Sequence, residues 1–227
     1  MSNEDNSHEI KAILVGKYGV GKTNLINTCV GDKFDPSSAS TIAMSLRPKR
    51  FVINNKTYIV NLWDTIGQES YLSMNKIFFK GSEIVIFVFD ITKKESFEAL
   101  DFWIGNVVEI LGTDFACGIV GNKIDLFLEA EVTEEEVKKY ADSKGIKYKL
   151  VSAKTDPKIF TEFLEILIKE PMNKNKIKKS KNDNKDNKDN KEKELNNDNE
   201  NFTTRKKENS IKLDAKQTKK SKTCCGN

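Results

Sequence analysis

Apolar positions along residues 8–170 switch between two periods, and the switches divide the chain into alternating strands and helices. Ile10-Lys-Ala-Ile-Leu-Val15 reads as a short buried strand and runs into a glycine-bearing loop, Gly16–Thr23. A helix-compatible stretch follows through Val30 and stops at Gly31. Lys49–Ile53 and Thr57–Trp63 are β-rich and flank Asn54-Asn-Lys56, a turn composition that predicts an antiparallel hairpin. Ile84–Asp90 and the shorter Ala116–Gly121 are continuous apolar runs, as expected of central strands covered on both faces. Between them Phe97, Leu100, Trp103, Ile104, Val107 and Leu111 recur at helical spacing, with Gly112 as the stop. Thr133 with Glu136 forms a capping-box pattern that opens a helix ending before Gly145. Tyr148–Ser152 is the last strand candidate, and a final helix from about Asp156 lines up Ile159, Phe160, Phe163, Leu164, Leu167 and Ile168 on one face. The expectation is an α/β fold: a six-stranded, mostly parallel sheet with helices on both faces and ligands at the carboxyl ends of the strands.

Composition adds a second segment to this picture. The chain has 227 residues, 37% of them apolar, enough for one full domain and an extension. Its net charge of +4 is uneven: residues 171–227 carry 17 Lys+Arg against 9 Asp+Glu, or +8, leaving −4 on residues 1–170. After Pro171 the chain turns Lys/Asn/Asp-rich, with too few apolar groups to offset its ordering entropy. The expected organisation is a flexible leader (1–7), a folded domain (8–170) and a disordered basic tail (171–227). The longest apolar run, Ile84–Phe89, is 6 residues, against the ~18 of a membrane-spanning helix. The polar start and Ser2 fit neither a secretory leader nor N-myristoylation. The single histidine, His8, excludes a hydrolase with a histidine base in its core, and four cysteines in this setting argue against a disulfide framework. Cys29 and Cys117 lie in apolar segments and are read as core residues. The tail lacks aromatic interleaving and mixes acids among its lysines, so nucleic acid is not an expected partner.

Four motifs carry chemistry. Gly16-Lys-Tyr-Gly-Val-Gly-Lys-Thr23 fits the phosphate-binding loop, placed between strand and helix as that motif requires. Backbone N–H groups of such a loop turn inward around an anion, Lys22 reaches the β- and γ-phosphates, and Thr23 offers a hydroxyl to Mg2+. Asn122-Lys-Ile-Asp125 follows a strand; a carboxylate there accepts two parallel hydrogen bonds from guanine, which adenine does not offer. Ser152-Ala-Lys154, after the next strand, brings a backbone N–H to the guanine O6. Trp63-Asp-Thr-Ile-Gly-Gln-Glu69 places Asp64 to hold a Mg2+ water, Gly67 to offer an N–H to a γ-phosphate and Gln68 to orient the attacking water.

In this order and spacing the residues resemble the small Ras-like GTPases and, among them, the Rab family, over roughly residues 8–170. Rab character rests on Ser40-Thr-Ile42, Tyr71 with Ile77-Phe-Phe-Lys-Gly81, Phe89-Asp-Ile-Thr92 and Cys224-Cys-Gly-Asn227. The resemblance implies the P-loop GTPase fold, with GTP/GDP and Mg2+ as cofactors. The implied nucleotide-binding set is Gly16, Tyr18, Gly19, Val20, Gly21, Lys22, Thr23, Asn24, Phe34, Thr41, Asp64, Gly67, Asn122, Lys123, Asp125, Ser152, Ala153 and Lys154. Within it Thr23, Thr41 and Asp64 are the Mg2+ residues, Phe34 stands beside the guanine and Lys123 packs along it; Gln68 is catalytic. Implied partners are an exchange factor, a GTPase-activating protein, a GDP-dissociation inhibitor or escort protein, and effectors, with the chain a monomer.

Departures from the family pattern cluster where partners read the surface. Tyr18 stands where a glycine or small residue is usual, close to the γ-phosphate; Ser38, Ala43-Met-Ser-Leu46 and Ile66 replace the usual switch residues, and Leu150 replaces a glutamate. Cys224 and Cys225 end a basic segment, and a lipid chain joined to a second chain or to a polybasic segment gives stable attachment. The resemblance implies geranylgeranylation of both, on the cytoplasmic face of an intracellular or plasma membrane; two free thiols or palmitoylation are the alternatives. The implied function is a slow GTPase switch recruiting effectors in vesicle trafficking. A constitutively GTP-bound module with poor hydrolysis is the alternative that Tyr18 raises.

Overall fold

The computed structural model describes residues 7–37, 41, 44–65 and 76–182. Six strands form one sheet: β1 (His8–Val15), β2 (Ser45–Ile53), β3 (Lys56–Asp64), β4 (Ile84–Asp90), β5 (Ala116–Asn122) and β6 (Lys147–Leu150), in the order β2-β3-β1-β4-β5-β6. All neighbours are parallel except β2 and β3, whose hairpin turns at Asn54 and Asn55 in left-handed conformations (φ 51° and 59°) that asparagine tolerates. Helices α1 (Lys22–Val30), α2 (Lys76–Phe79), α3 (Lys94–Glu98), α4 (Leu100–Leu111), α5 (Glu134–Lys144) and α6 (Pro157–Asn182) alternate with the strands, and a 3₁₀ segment covers Ile124–Glu129.

The central strands are apolar on both faces because two separate cores flank the sheet. Ala12, Leu14, Ile84, Ile86 and Val88 pack with Leu25, Ile26 and Cys29 of α1 and Phe160, Phe163, Leu164 and Leu167 of α6. Their strand neighbours Ile13, Val85, Phe87 and Phe89 point the other way, onto Phe79 of α2, Leu100, Trp103 and Val107 of α4, and Val137 and Ala141 of α5. Cys29 is buried and Cys117 half-buried, both outside any disulfide and beside apolar groups.

Local signals hold where they are strongest. The Thr133 side chain accepts from the Glu136 N–H while Glu136 accepts from the Thr133 N–H, the full capping box of α5. Gly31 ends α1 in the left-handed region, and the Gly112 N–H closes α4 onto the Val108 carbonyl. The single helix expected over Phe97–Leu111 is instead two, α3 and α4, meeting at Ala99. There Phe97 turns to stack at 5.0 Å from Phe89 and 5.3 Å from Tyr140. The last strand is shorter than expected because Ser152 leaves the ladder to bridge Asp156. Helix α6 runs to Asn182, past the composition change at Pro171; no glycine follows that proline within the helix, and extending a formed helix avoids the cost of nucleation. The chain divides into two units, Met1–Asn173 with the sheet and its covering helices, and Lys174–Asn227, of which the helical residues 174–182 are described.

Candidate functional site

The loop between β1 and α1 is built against the sheet by two glycines that nothing larger replaces. A Cβ on Gly16 (φ 152°) would collide with the Val88 carbonyl oxygen, and one on Gly21 (φ 93°) with the Asn122 side-chain amide. Both φ values lie where L side chains are strained. Lys22 opens α1 and donates from Nζ to the carbonyls of Gly16 (2.8 Å) and Lys17 (3.0 Å), so its buried ammonium spans the loop. At the loop's crest Tyr18 is 58% exposed.

Three oxygens converge at the far side of Thr23. Its Oγ1 lies 2.7 Å from Asp64 Oδ2 and 2.8 Å from Thr41 Oγ1, and Thr41 Oγ1 donates to the same carboxylate oxygen at 3.1 Å. Asp64 Oδ1 is buried with no partner among the described residues. Burial pushes the Asp64 carboxyl above the usual carboxylate range, opposed by the Thr23 hydrogen bond and the Lys22 charge. An all-oxygen set with an unsatisfied buried carboxylate oxygen is the donor chemistry of a small hard cation.

The other end of the site is one polar network joining three loops. The Asn122 amide donates to the Val20 carbonyl (2.9 Å) and its Oδ1 accepts from the Ala153 N–H (3.2 Å), tying the phosphate loop to the segment after β6. Ser152 Oγ donates to Asp125 Oδ1 (2.6 Å) and accepts from the N–H groups of Lys154 (3.1 Å) and Thr155 (3.0 Å). Asp125 is thereby held through Oδ1, and the Lys154 ammonium lies 4.0 Å from its Oδ2. The Lys123 ammonium lies 2.6 Å from Asp90 Oδ2. Asn24 holds the start of the next loop by accepting from the Asp35 N–H (3.1 Å) and donating to its carbonyl (3.0 Å).

These pieces line one cleft of about 520 Å³, the size of a small-molecule pocket. Of the residues singled out in the sequence, Tyr18, Gly19, Gly21, Lys22, Thr23, Asn24, Phe34, Thr41, Asn122, Lys123, Asp125, Ala153 and Lys154 line it. Gly16, Val20, Asp64 and Ser152 support it from behind through the contacts above. Gly67 and Gln68, with Ser38, Ser40, Ile42, Ala43, Ile66 and Tyr71, and the terminal Cys224 and Cys225, lie outside the described residues. Pro36, Thr65 and Leu126 also line the cleft; Thr65 lies within the Trp63–Glu69 motif, Leu126 follows Asp125, and Pro36 stands two residues after Phe34. In the sequence Asp90 closes the Ile84–Asp90 run and belongs to Phe89-Asp-Ile-Thr92, and nothing local announces its pairing with Lys123.

The Ras family model matches residues 11–171. Rab-2B of Dictyostelium discoideum is 34% identical over 148 residues, 65% of this chain and 73% of that protein. Human Rab-21 is 34% identical over 160 residues, 70% of this chain and 71% of its own, and Rab-22A of Canis lupus familiaris 36% over 158 residues, 70% and 81%. These similarities cover the residues that build the mostly parallel sheet and its cleft, and the chain belongs to the Rab family of Ras-like small GTPases, guanine-nucleotide-binding hydrolases of vesicle trafficking.

Proposed function

We propose that this chain binds GTP and GDP with Mg2+, hydrolyses GTP by in-line attack of water, and acts as a membrane-anchored switch. The observation that carries the reading is the single cleft running from the Lys22 loop to Asp125, with the Thr23, Thr41 and Asp64 oxygens gathered at its phosphate end. Backbone N–H groups of Gly16–Thr23 and the start of α1 cradle phosphate oxygens, and Lys22 neutralises charge on the β- and γ-phosphates. Thr23, Thr41 and Asp64 would hold the cation, whose bound charge stabilises the phosphate oxygens. Asp125 accepts the paired guanine donors, the Ala153 N–H, shared with Asn122 Oδ1, faces its O6, and Phe34 and Lys123 cover the ring. Gln68 orients the attacking water and Gly67 donates to the γ-phosphate.

In this reading the switch residues around Thr41 and Gly67 differ between nucleotide states and present separate surfaces to an exchange factor, an activating protein and effectors. A GDP-dissociation inhibitor or escort protein carries the lipidated form. Two geranylgeranyl groups on Cys224 and Cys225, with the +8 tail, attach it to the cytoplasmic face of a membrane. Tyr18, exposed beside the phosphate loop, favours a second reading in which GTP is held and barely hydrolysed. One experiment separates them: load the full chain with GTP and Mg2+ and follow its conversion to GDP in a single turnover beside Gln68→Leu. Slow conversion abolished by the substitution supports the switch; stable GTP in both proteins supports the binding module.

A further inference from the structure

The nucleotide reading leaves one buried charge without a task. Asp90 ends β4 directly beside Asn122 of β5 and its side chain is fully buried. Its Oδ1 accepts from the N–H (2.9 Å) and the hydroxyl (2.8 Å) of Thr92, and its Oδ2, which takes no hydrogen bond from the described residues, is ion-paired with the Lys123 ammonium at 2.6 Å. Ser96 Oγ clasps the Asp90 backbone, accepting from its N–H at 3.0 Å and donating to its carbonyl at 3.1 Å. A carboxylate held on this many sides is a fixed anchor, and a buried charge of this kind needs its counter-ion. Lys123 in turn lines the cleft from a left-handed backbone (φ 70°), a conformation that a lysine adopts only where its surroundings impose it. With the ammonium drawn back onto Asp90, the methylene stem is what remains to form a cleft wall.

We propose that Asp90 is a positioning residue for the guanine nucleotide: it pins Lys123 so that the stem stands as a fixed wall for the base, and thereby sets how long the nucleotide stays bound. This rests on the guanine-nucleotide reading above. A lysine stem carries large rotamer freedom, so an unpinned Lys123 would leave the wall for part of the time and the nucleotide would escape faster.

The test uses the full chain loaded with methylanthraniloyl-GDP and chased with unlabelled GDP. Asp90→Asn keeps the shape and an acceptor for Thr92 but removes the charge, and release is expected to be about tenfold faster, less than the roughly 30-fold low end for truncating a buried charge pair because Lys123 still reaches solvent. Lys123→Met keeps most of the stem but not the pin and is expected to match it. The double variant is expected to release no faster than the faster single variant, because both remove one pairing. Unchanged release in Asp90→Asn, or multiplied effects near a hundredfold in the double variant, would overturn the proposal in favour of a purely structural role. If Asp90→Asn is not recovered folded, Thr92→Val loosens the same carboxylate while keeping its charge. Release a few-fold faster supports the proposal and unchanged release overturns it. No retention of labelled GDP by the unmodified chain overturns the nucleotide reading, and this inference with it.

Discussion

Asn122 holds the two halves of the cleft together, and its replacement gives a prediction whose sign distinguishes geometry from general damage. Its amide group donates to Val20 in the phosphate loop and its oxygen accepts from Ala153 at the base end, and the side chain is 2% exposed. Asn122→Ala leaves a carbonyl and an N–H unpaired, each costing about 1–3 kcal/mol when buried. Because the cleft admits water, the lower half of that range applies, about 2–4 kcal/mol in all, or roughly 30- to 900-fold in nucleotide release. Asn122→Asp has nearly the same shape and still accepts from Ala153, but it sets a carboxylate oxygen against the Val20 carbonyl oxygen, where the amide N–H now sits 2.9 Å away. Release should therefore be faster in Asn122→Asp than in Asn122→Ala, although the first substitution removes fewer atoms. Lowering the pH should slow release from the aspartate variant alone, because a protonated carboxyl can donate to Val20 again. The assay is release of labelled GDP from each purified protein across a pH series. Alanine proving worse than aspartate at neutral pH would refute the reasoning, since it would make lost volume, not the Val20 contact, the dominant effect.

Three further outcomes are expected. Gly118→Ala would place a methyl 2.7 Å from the Phe163 ring and 3.0 Å from Leu167, against the inner face of α6. It should lower stability by about 1–3 kcal/mol in urea unfolding of the GDP-bound chain. Asp101 is held below the usual carboxylate range by its hydrogen bond to Lys144, with a further one from Tyr140. A depressed carboxyl contributes stability above its unfolded pKa and loses it as pH falls through the folded value. Asp101→Asn should thus flatten the acid limb of a stability–pH profile by under about 1 kcal/mol, the pair being largely exposed. Tyr18→Ser should speed GTP conversion in single turnover, by clearing the ring from the phosphate end of the cleft; equal rates would remove Tyr18 as the cause of slow hydrolysis.

The features that the sequence determined by itself are those whose physics is local. The Thr133–Glu136 capping box, the Asn54–Asn55 turn and the stops at Gly31 and Gly112 each involve residues within a few positions of one another. The six strands and their mostly parallel arrangement are legible in apolar runs and alternation, because a strand covered on both faces has no polar positions to spare. The motif residues were legible for a related reason: a glycine loop, a threonine and an acid at strand ends are chemistry that short spacings advertise.

Only the tertiary structure decided which of these groups meet. Thr41 and Asp64 are brought to Thr23 across 18 and 41 residues of chain. Asn122 reaches Val20 across 102 residues, and the same approach is what excludes a side chain at Gly21. Phe97, in α3, meets Phe89 and Tyr140, contacts that helical periodicity alone does not announce. Asp90 is the clearest case: a single acid in an apolar strand end has no local signature, yet the β4–β5 register sets it beside the base loop, where burial demands a counter-ion and Lys123 supplies it. Local propensity acts over a turn or a strand, whereas a buried charge or an orphaned oxygen acquires its meaning only from the partner that folding delivers.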